Sequence, residues 1–169
     1  FMRSRWQSDI RITVACYPEA HPESVDLATD FKYFREKVAA GADRAITQYF
    51  YNPDSYAYFL QQCQRHGVNT PIIPGVMPLE NYANIKRFSA RCGAEIPRWI
   101  DKRMSAVADD PDAEFSVGVD IVTNLCVRLL ELGAPGLHLY TLNKSRAPIA
   151  IVDNLKKQGY LLQHASTCS

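Results

Sequence analysis

Apolar residues in this chain gather in short runs that end abruptly in polar or ring-bearing residues, and a helical pattern follows each run. Ile10 to Cys16 alternates with period two, is rich in β-branched residues, and stops at Tyr17-Pro18-Glu19-Ala20-His21. Ala45 to Phe50 predicts a second strand, with Gln48-Tyr49-Phe50 at its end, Thr70 to Val76 a third, and Gly136 to Leu142 a fourth. Between them the spacing changes to three and four. Leu27, Phe31, Phe34 and Val38 stripe a helix over Asp26–Ala40 that Gly41 closes. Asn52-Pro53-Asp54 opens a helix carrying Tyr56, Phe59, Leu60 and Cys63. A third helix is expected over Asn81–Ala90 and a last one over Pro148–Gln158. The first eight residues show no element, and Gln163 to Ser169 reads as a frayed tail.

The third interval is longer than the others. Residues 97–132 predict an extra helical insertion before the last strand, a short helix with Trp99, Ile100 and Met104 apolar and then a long one from Asp112. The rhythm is α/β: repeated strand–loop–helix units with chemistry at the strand ends, the pattern of a (β/α)8 TIM barrel whose active site lies at the C-terminal mouth. Four units are visible and a closed barrel of this type needs eight. Residues 1–169 are therefore expected to be a single domain, half of such a barrel. Phe1 precedes Met2, so a longer parent chain or a vector remnant is expected.

Composition narrows the function classes. A net charge of +1 leaves no footprint for nucleic acid or an anionic membrane, and no apolar run approaches the roughly 20 residues of a membrane span. Cys16, Cys63, Cys92, Cys126 and Cys168 form no C-x-x-C pair, so no structural zinc is expected. Buried free thiols suit a reducing cytoplasm. His21, His66, His138 and His164 lack helical i, i+4 pairing, so no metal site is expected, and the scattered glycines form no phosphate loop. No nucleophile motif and no catalytic acid stand out.

Four segments carry a resemblance in order: Tyr17-Pro18-Glu19-Ala20-His21-Pro22-Glu23, Gly41-Ala42-Asp43-Arg44-Ala45-Ile46-Thr47-Gln48, Ile72-Ile73-Pro74-Gly75 and Tyr140-Thr141-Leu142-Asn143. Together they resemble the methylenetetrahydrofolate reductase family over about Ile12 to Tyr160. The resemblance implies strands five to eight of a flavin-containing barrel. It implies reduction of 5,10-methylenetetrahydrofolate to 5-methyltetrahydrofolate with FAD as cofactor and NADH or NADPH as hydride donor, in homo-oligomers. The carboxylic acid of that chemistry would come from the other half, with Glu19 the nearest substitute here by position.

The resemblance assigns Tyr17, His21, Asp30, Lys37 and Ala40 to the FAD, and Gln48, Asn84, Phe88 and Lys144 to the folate. Each has a plainer reading. Tyr17 can be a loop aromatic, His21 a surface histidine, and Asp30 and Lys37 a solvated helix face, seven residues apart. Ala40 and Ala42 are small residues at a helix end, Ala42 the more structural. Gln48 at a strand end offers a donor and an acceptor to a pterin edge, whereas Phe88 can simply pack. Asn84 stands where the family has Gln, and Lys144 where it has Arg, a point charge in place of a planar fork. Two rival readings are a non-catalytic half-barrel module that binds folate or completes another subunit, and a folate-binding methyltransferase barrel without flavin.

Overall fold

A computed structural model describes residues 2–6 and 10–161. The elements run α1 Met2–Trp6, β1 Thr13–Cys16, α2 Leu27–Ala39, β2 Arg44–Tyr49, α3 Pro53–Arg65, β3 Ile72–Val76, α4 Tyr82–Cys92, α5 Arg98–Ser105, α6 Pro111–Glu131, β4 His138–Leu139 and α7 Arg146–Lys157. All neighbouring strands pair in parallel, in the order β1-β2-β3-β4. Sequential parallel order with helical crossovers winds in one direction, as in a barrel, and never reverses as a doubly wound sheet does. The fold is the expected α/β half of a TIM-type barrel.

Helix starts follow local chemistry. Asp26 caps α2 by accepting the Thr29 N–H at 2.7 Å, and Asn52 caps α3 ahead of Pro53. Asp110 accepts the N–H groups of Asp112 and Ala113 ahead of Pro111. These side chains satisfy donors that the first turn leaves without partners. Between α2 and α3, the rings of Phe31, Phe34 and Phe59 lie 5.3–6.1 Å apart. Under β2, Phe50 stacks on Tyr56, whose hydroxyl donates to the Ile72 carbonyl at 2.8 Å. α6 packs on β3, α3, α5 and α7, and so fills the helical layer behind the last two strands.

Three expectations change. Residues 2–6 form a helix; five residues make little more than one turn, too few to display a stripe. β4 has two residues where seven were expected, because Tyr140 onward turns through Leu142 and Asn143 at φ 47° and 62°. The last helix starts at Arg146, two residues before Pro148. The expected tail, with His164 and Cys168, lies outside the described residues.

Gly118 lets α6 lie close against the segment that follows β3: a Cβ there would sit 2.5 Å from the Leu79 carbonyl oxygen. Glycine-to-alanine inside a helix ordinarily stabilises by about 0.5–1 kcal/mol. Here the sign reverses, and Gly118→Ala is expected to cost about 1–3 kcal/mol by overpacking. The urea midpoint checks this, and an unchanged or raised midpoint would refute it.

Candidate functional site

The strand C-terminal ends carry three clusters. In the first, the chain leaves β1 at Cys16 and turns through Ala20 at φ 72°. Tyr17 meets the His21 ring edge-on at 4.7 Å. The His21 backbone N–H donates to Asp30 Oδ2 at 3.3 Å, and its Nδ1 accepts the Glu23 N–H at 3.1 Å. An Nδ1 that accepts leaves the proton of a neutral ring on Nε2, a donor available to a ligand oxygen. Lys37, two turns beyond Asp30, donates from Nζ to the Ala15 carbonyl at 2.6 Å. Ala40, the exposed C-cap of α2, and half-buried Ala42 lead into the start of β2, at the other end of the strands, and are not part of this cluster.

The second cluster surrounds Gln48. The β2–β3 ladder pairs Ala45 with Ile72 and Ile46 with Ile73, then Tyr49 with Gly75. Three steps along β2 oppose two along β3, so Thr47 and Gln48 lie in a bulge, a device that re-aims side chains. Thr47 is fully buried; its Oγ1 accepts the Gly75 N–H at 2.8 Å. Gln48 is half-buried and its Oε1 accepts the Tyr49 N–H at 3.0 Å. Phe88 on α4 is 38% exposed and stacks on Tyr49 at 6.1 Å with planes 12° apart. Burial pushes the Tyr49 phenol up to about 12. Its hydroxyl donates to Ser89 Oγ at 3.1 Å.

The third cluster is a 140 Å³ hollow lined by Asn84, Lys144, Tyr140, Leu142 and Glu80 among others. Asn84 sits in the first turn of α4, its N–H on the Asn81 side chain and its Oδ1 taken by Arg87. Lys144 closes a turn onto the Thr141 carbonyl at 2.9 Å. Asn84 and Lys144 are thus brought together, as are Gln48 and Phe88 through Tyr49. Tyr140 joins the two groups: its ring is 6.1 Å from Tyr49 and it lines the hollow. Tyr17, His21 and Asp30 form one unit, whereas Lys37 lies further down α2 on the carbonyl of Ala15. A separate 330 Å³ hollow between α2 and α3 touches the site only through Tyr17 and Pro18.

Sequence reasoning gave no role to Tyr49 or Tyr140, although Tyr49 follows Gln48 and Tyr140 opens the fourth segment of the resemblance. Glu19 had been noted as the nearest carboxylate. Its Oε2 accepts the Glu95 N–H at 3.0 Å and its Oε1 the Ser55 hydroxyl at 3.5 Å. It ties the β1 loop to the first turn of α3 and to the segment after α4. Burial pushes the Cys63 thiol up to about 11 and that of Cys126 to about 12, and Cys16 upward as well, so these three stay as unreactive thiols. Among the described residues, no cluster of metal-ligating side chains occurs, and no helix is long and apolar enough to cross a membrane.

The donor set at β1 and α2 suits a flavin dinucleotide. It offers a cation in Lys37, an acceptor for ribose hydroxyls in Asp30, a neutral donor at His21 Nε2 and a flat ring in Tyr17.

The family described as Methylenetetrahydrofolate reductase matches residues 1–156. Methylenetetrahydrofolate reductase (NADH) 1 of Arabidopsis thaliana is 38% identical over 163 residues, covering 91% of this chain and 28% of that protein. The 5,10-methylenetetrahydrofolate reductase of Escherichia coli is 36% identical over 148 residues, covering 88% of this chain and 50% of the relative. That of Buchnera aphidicola (from Schizaphis graminum) is 40% identical over 138 residues, covering 82% and 47%. The chain therefore spans half or less of the length of these relatives. A protein of Clostridium thermocellum, described as binding two copies of 5-methyl-5,6,7,8-tetrahydrofolic acid, shares the fold at a TM-score of 0.59 and 22% identity, over 93% of this chain and 57% of that one.

Burial, the largest influence on the Glu19 carboxyl, raises it above its ordinary 4.5 against the pull of the Glu95 N–H. Above pH 4.5 the folded state thus holds a proton that the unfolded chain releases, and stability falls as pH rises through that raised range. Glu19→Gln should flatten this slope in a pH series of thermal unfolding. An unaltered slope would mean that Glu19 is not its source.

Proposed function

The chain belongs to the methylenetetrahydrofolate reductase family, and we propose that its parent enzyme reduces 5,10-methylenetetrahydrofolate to 5-methyltetrahydrofolate with NADH or NADPH through FAD. The observation that carries this reading is the rim cluster of Gln48, Tyr49 and Phe88: a carboxamide held in a strand bulge beside a half-exposed stacked ring. A carboxamide at that place reads the amide-like edge of a pterin, and its amide nitrogen still has two donors to offer. Phe88 presents a face for the benzoyl ring, a contact worth about 0.5–1.5 kcal/mol beyond burial. Asn84 and Lys144 take the amide and carboxylate groups of the same ligand. Lys144 serves as a point charge, which tolerates a less defined geometry than a guanidinium fork.

Tyr17, His21, Asp30 and Lys37 hold the FAD: Lys37 its diphosphate, Asp30 a ribose or adenine-side group, and His21 an oxygen within reach of Nε2. When bound, FAD supplies a two-electron relay between nicotinamide and folate. As the resemblance implies, the proton donor for folate would come from the other half of the barrel; the Glu19 oxygens are already engaged by the Ser55 hydroxyl and the Glu95 N–H within the fold. NADH is favoured by the names of the plant relatives. We read residues 97–132 as an insertion before the last strand, and the parent as a cytoplasmic homo-oligomer.

The 169-residue chain by itself is expected to turn over no folate, because it offers half of a rim. The test is 5-methyltetrahydrofolate binding and the visible flavin spectrum, measured on the chain and on its parent. Gln48→Ala is expected to weaken folate binding about tenfold, the value of one well-made hydrogen bond. Unchanged affinity would sink the assignment of Gln48. A parent that binds folate and carries no flavin band would favour a methyltransferase-like barrel. A parent with neither turnover nor flavin would favour a passive module.

A further inference from the structure

We propose that Tyr140 is a positioning residue that sets the orientation of Gln48 from the opposite end of the sheet; this rests on the reading of Gln48 as a folate contact. The bulge creates the need. With three residues of β2 against two of β3, the backbone groups around Thr47 cannot all pair within the ladder. The Gly75 N–H turns instead to Thr47 Oγ1 at 2.8 Å. The Thr47 carbonyl takes the Tyr140 hydroxyl at 3.1 Å, from a residue 93 positions away. Thr47 is fully buried, so its carbonyl would otherwise stand without a partner at a real cost.

Tyr140 is itself held firmly. Its backbone N–H donates to the Val76 carbonyl at 2.8 Å, which continues the β3–β4 ladder by one bond. Its ring lies edge-on to His138 at 4.6 Å and so close over Gly75 that a Cβ there would meet it at 2.6 Å. Burial raises the phenol, so the hydroxyl remains a donor at neutral pH. The same ring walls the hollow shared by Asn84 and Lys144. One side chain therefore touches the peptide that precedes Gln48 and the pocket of the two other folate candidates. An occupant of that pocket that moved the ring would re-aim Gln48.

Tyr140→Phe removes the oxygen and keeps the ring. NMR of the labelled chain should then show shifts of the Gln48 carboxamide and Gly75 amide signals, with cooperative unfolding retained. Affinity for 5-methyltetrahydrofolate should fall about tenfold, as for Gln48→Ala. The double variant should lose no more than either single one, because both remove the same contact. Unmoved Gln48 signals, or losses that multiply in the double variant, would overturn the proposal. If the parent protein binds folate and Gln48→Ala leaves its affinity unchanged, the reading of Gln48 as a folate contact fails while the NMR shifts still decide positioning. A slowly exchanging Tyr140 hydroxyl proton in the wild type is expected independently of any variant; its absence also counts against the proposal.

Discussion

A parallel ladder tolerates no extra residue unless something outside the ladder takes up the backbone groups it strands, and this constraint organises the mouth of the sheet. Gly75 has no side chain, so β3 can approach Thr47 where any Cβ would collide with the Thr47 carbonyl oxygen. The Thr47 hydroxyl then takes the Gly75 N–H and the Tyr140 phenol the Thr47 carbonyl, the two backbone groups at the bulge. Each component needs the others. A side chain at position 75 would push Tyr140 away, and without Tyr140 the Thr47 carbonyl would be buried and bare. The result is a strand end at which Gln48 is turned to the rim while Tyr49 is packed beneath Phe88.

The loops beyond the strands are tied by short polar side chains, and this decides which groups remain for chemistry. Glu19 joins the β1 loop to Ser55 and to the segment after α4, so its carboxyl group is committed to the frame. Asp30 spends one lone pair on the His21 N–H and keeps the rest of its acceptor capacity. His21 spends Nδ1 on Glu23 and keeps Nε2. Buried phenols such as Tyr51, whose hydroxyl has no partner in the protein, remain neutral and have no part in acid–base work. Binding and orientation are thus within the reach of these residues.

Much of this was legible from the chain. A period-two run located β1 and short apolar runs β2 and β3, and Asp26, Asn52-Pro53 and Asp110-Pro111 marked three helix starts by chemistry that acts within four residues. Gln48, Phe88, Asn84 and Lys144 were singled out through the resemblance, and their convergence at one rim follows from the order of the strands. The bulge was not legible. A one-residue slip in pairing leaves the pattern of each strand intact and shows only when two strands are set side by side. Tyr140 was hidden for the same reason, since its partner lies 93 residues away. The short β4 was masked by the apolar run of Leu137, Leu139 and Leu142, which reads as a strand until the positive φ angles of Leu142 and Asn143 bend it away.

The outer edge of β1 links the fold to the cofactor reading. Ile12 accepts from Asp43 and Arg44, so Ile12, Val14 and Cys16 direct their backbone groups to β2. By alternation the Ala15 carbonyl faces the other side, where no strand pairs among the described residues. Lys37 covers that carbonyl at 2.6 Å. The ammonium that the resemblance gives to a diphosphate is therefore engaged, in this chain, with an unpaired strand edge. A strand added along β1 brings its own N–H to Ala15 and competes for the same oxygen, leaving the lysine freer to meet an anion. The exchange is nearly balanced, since a net hydrogen bond is worth about 0.5–1.5 kcal/mol. Pairing along the outer edge of β1 and the freedom of the Lys37 ammonium are then two faces of one competition for the Ala15 carbonyl.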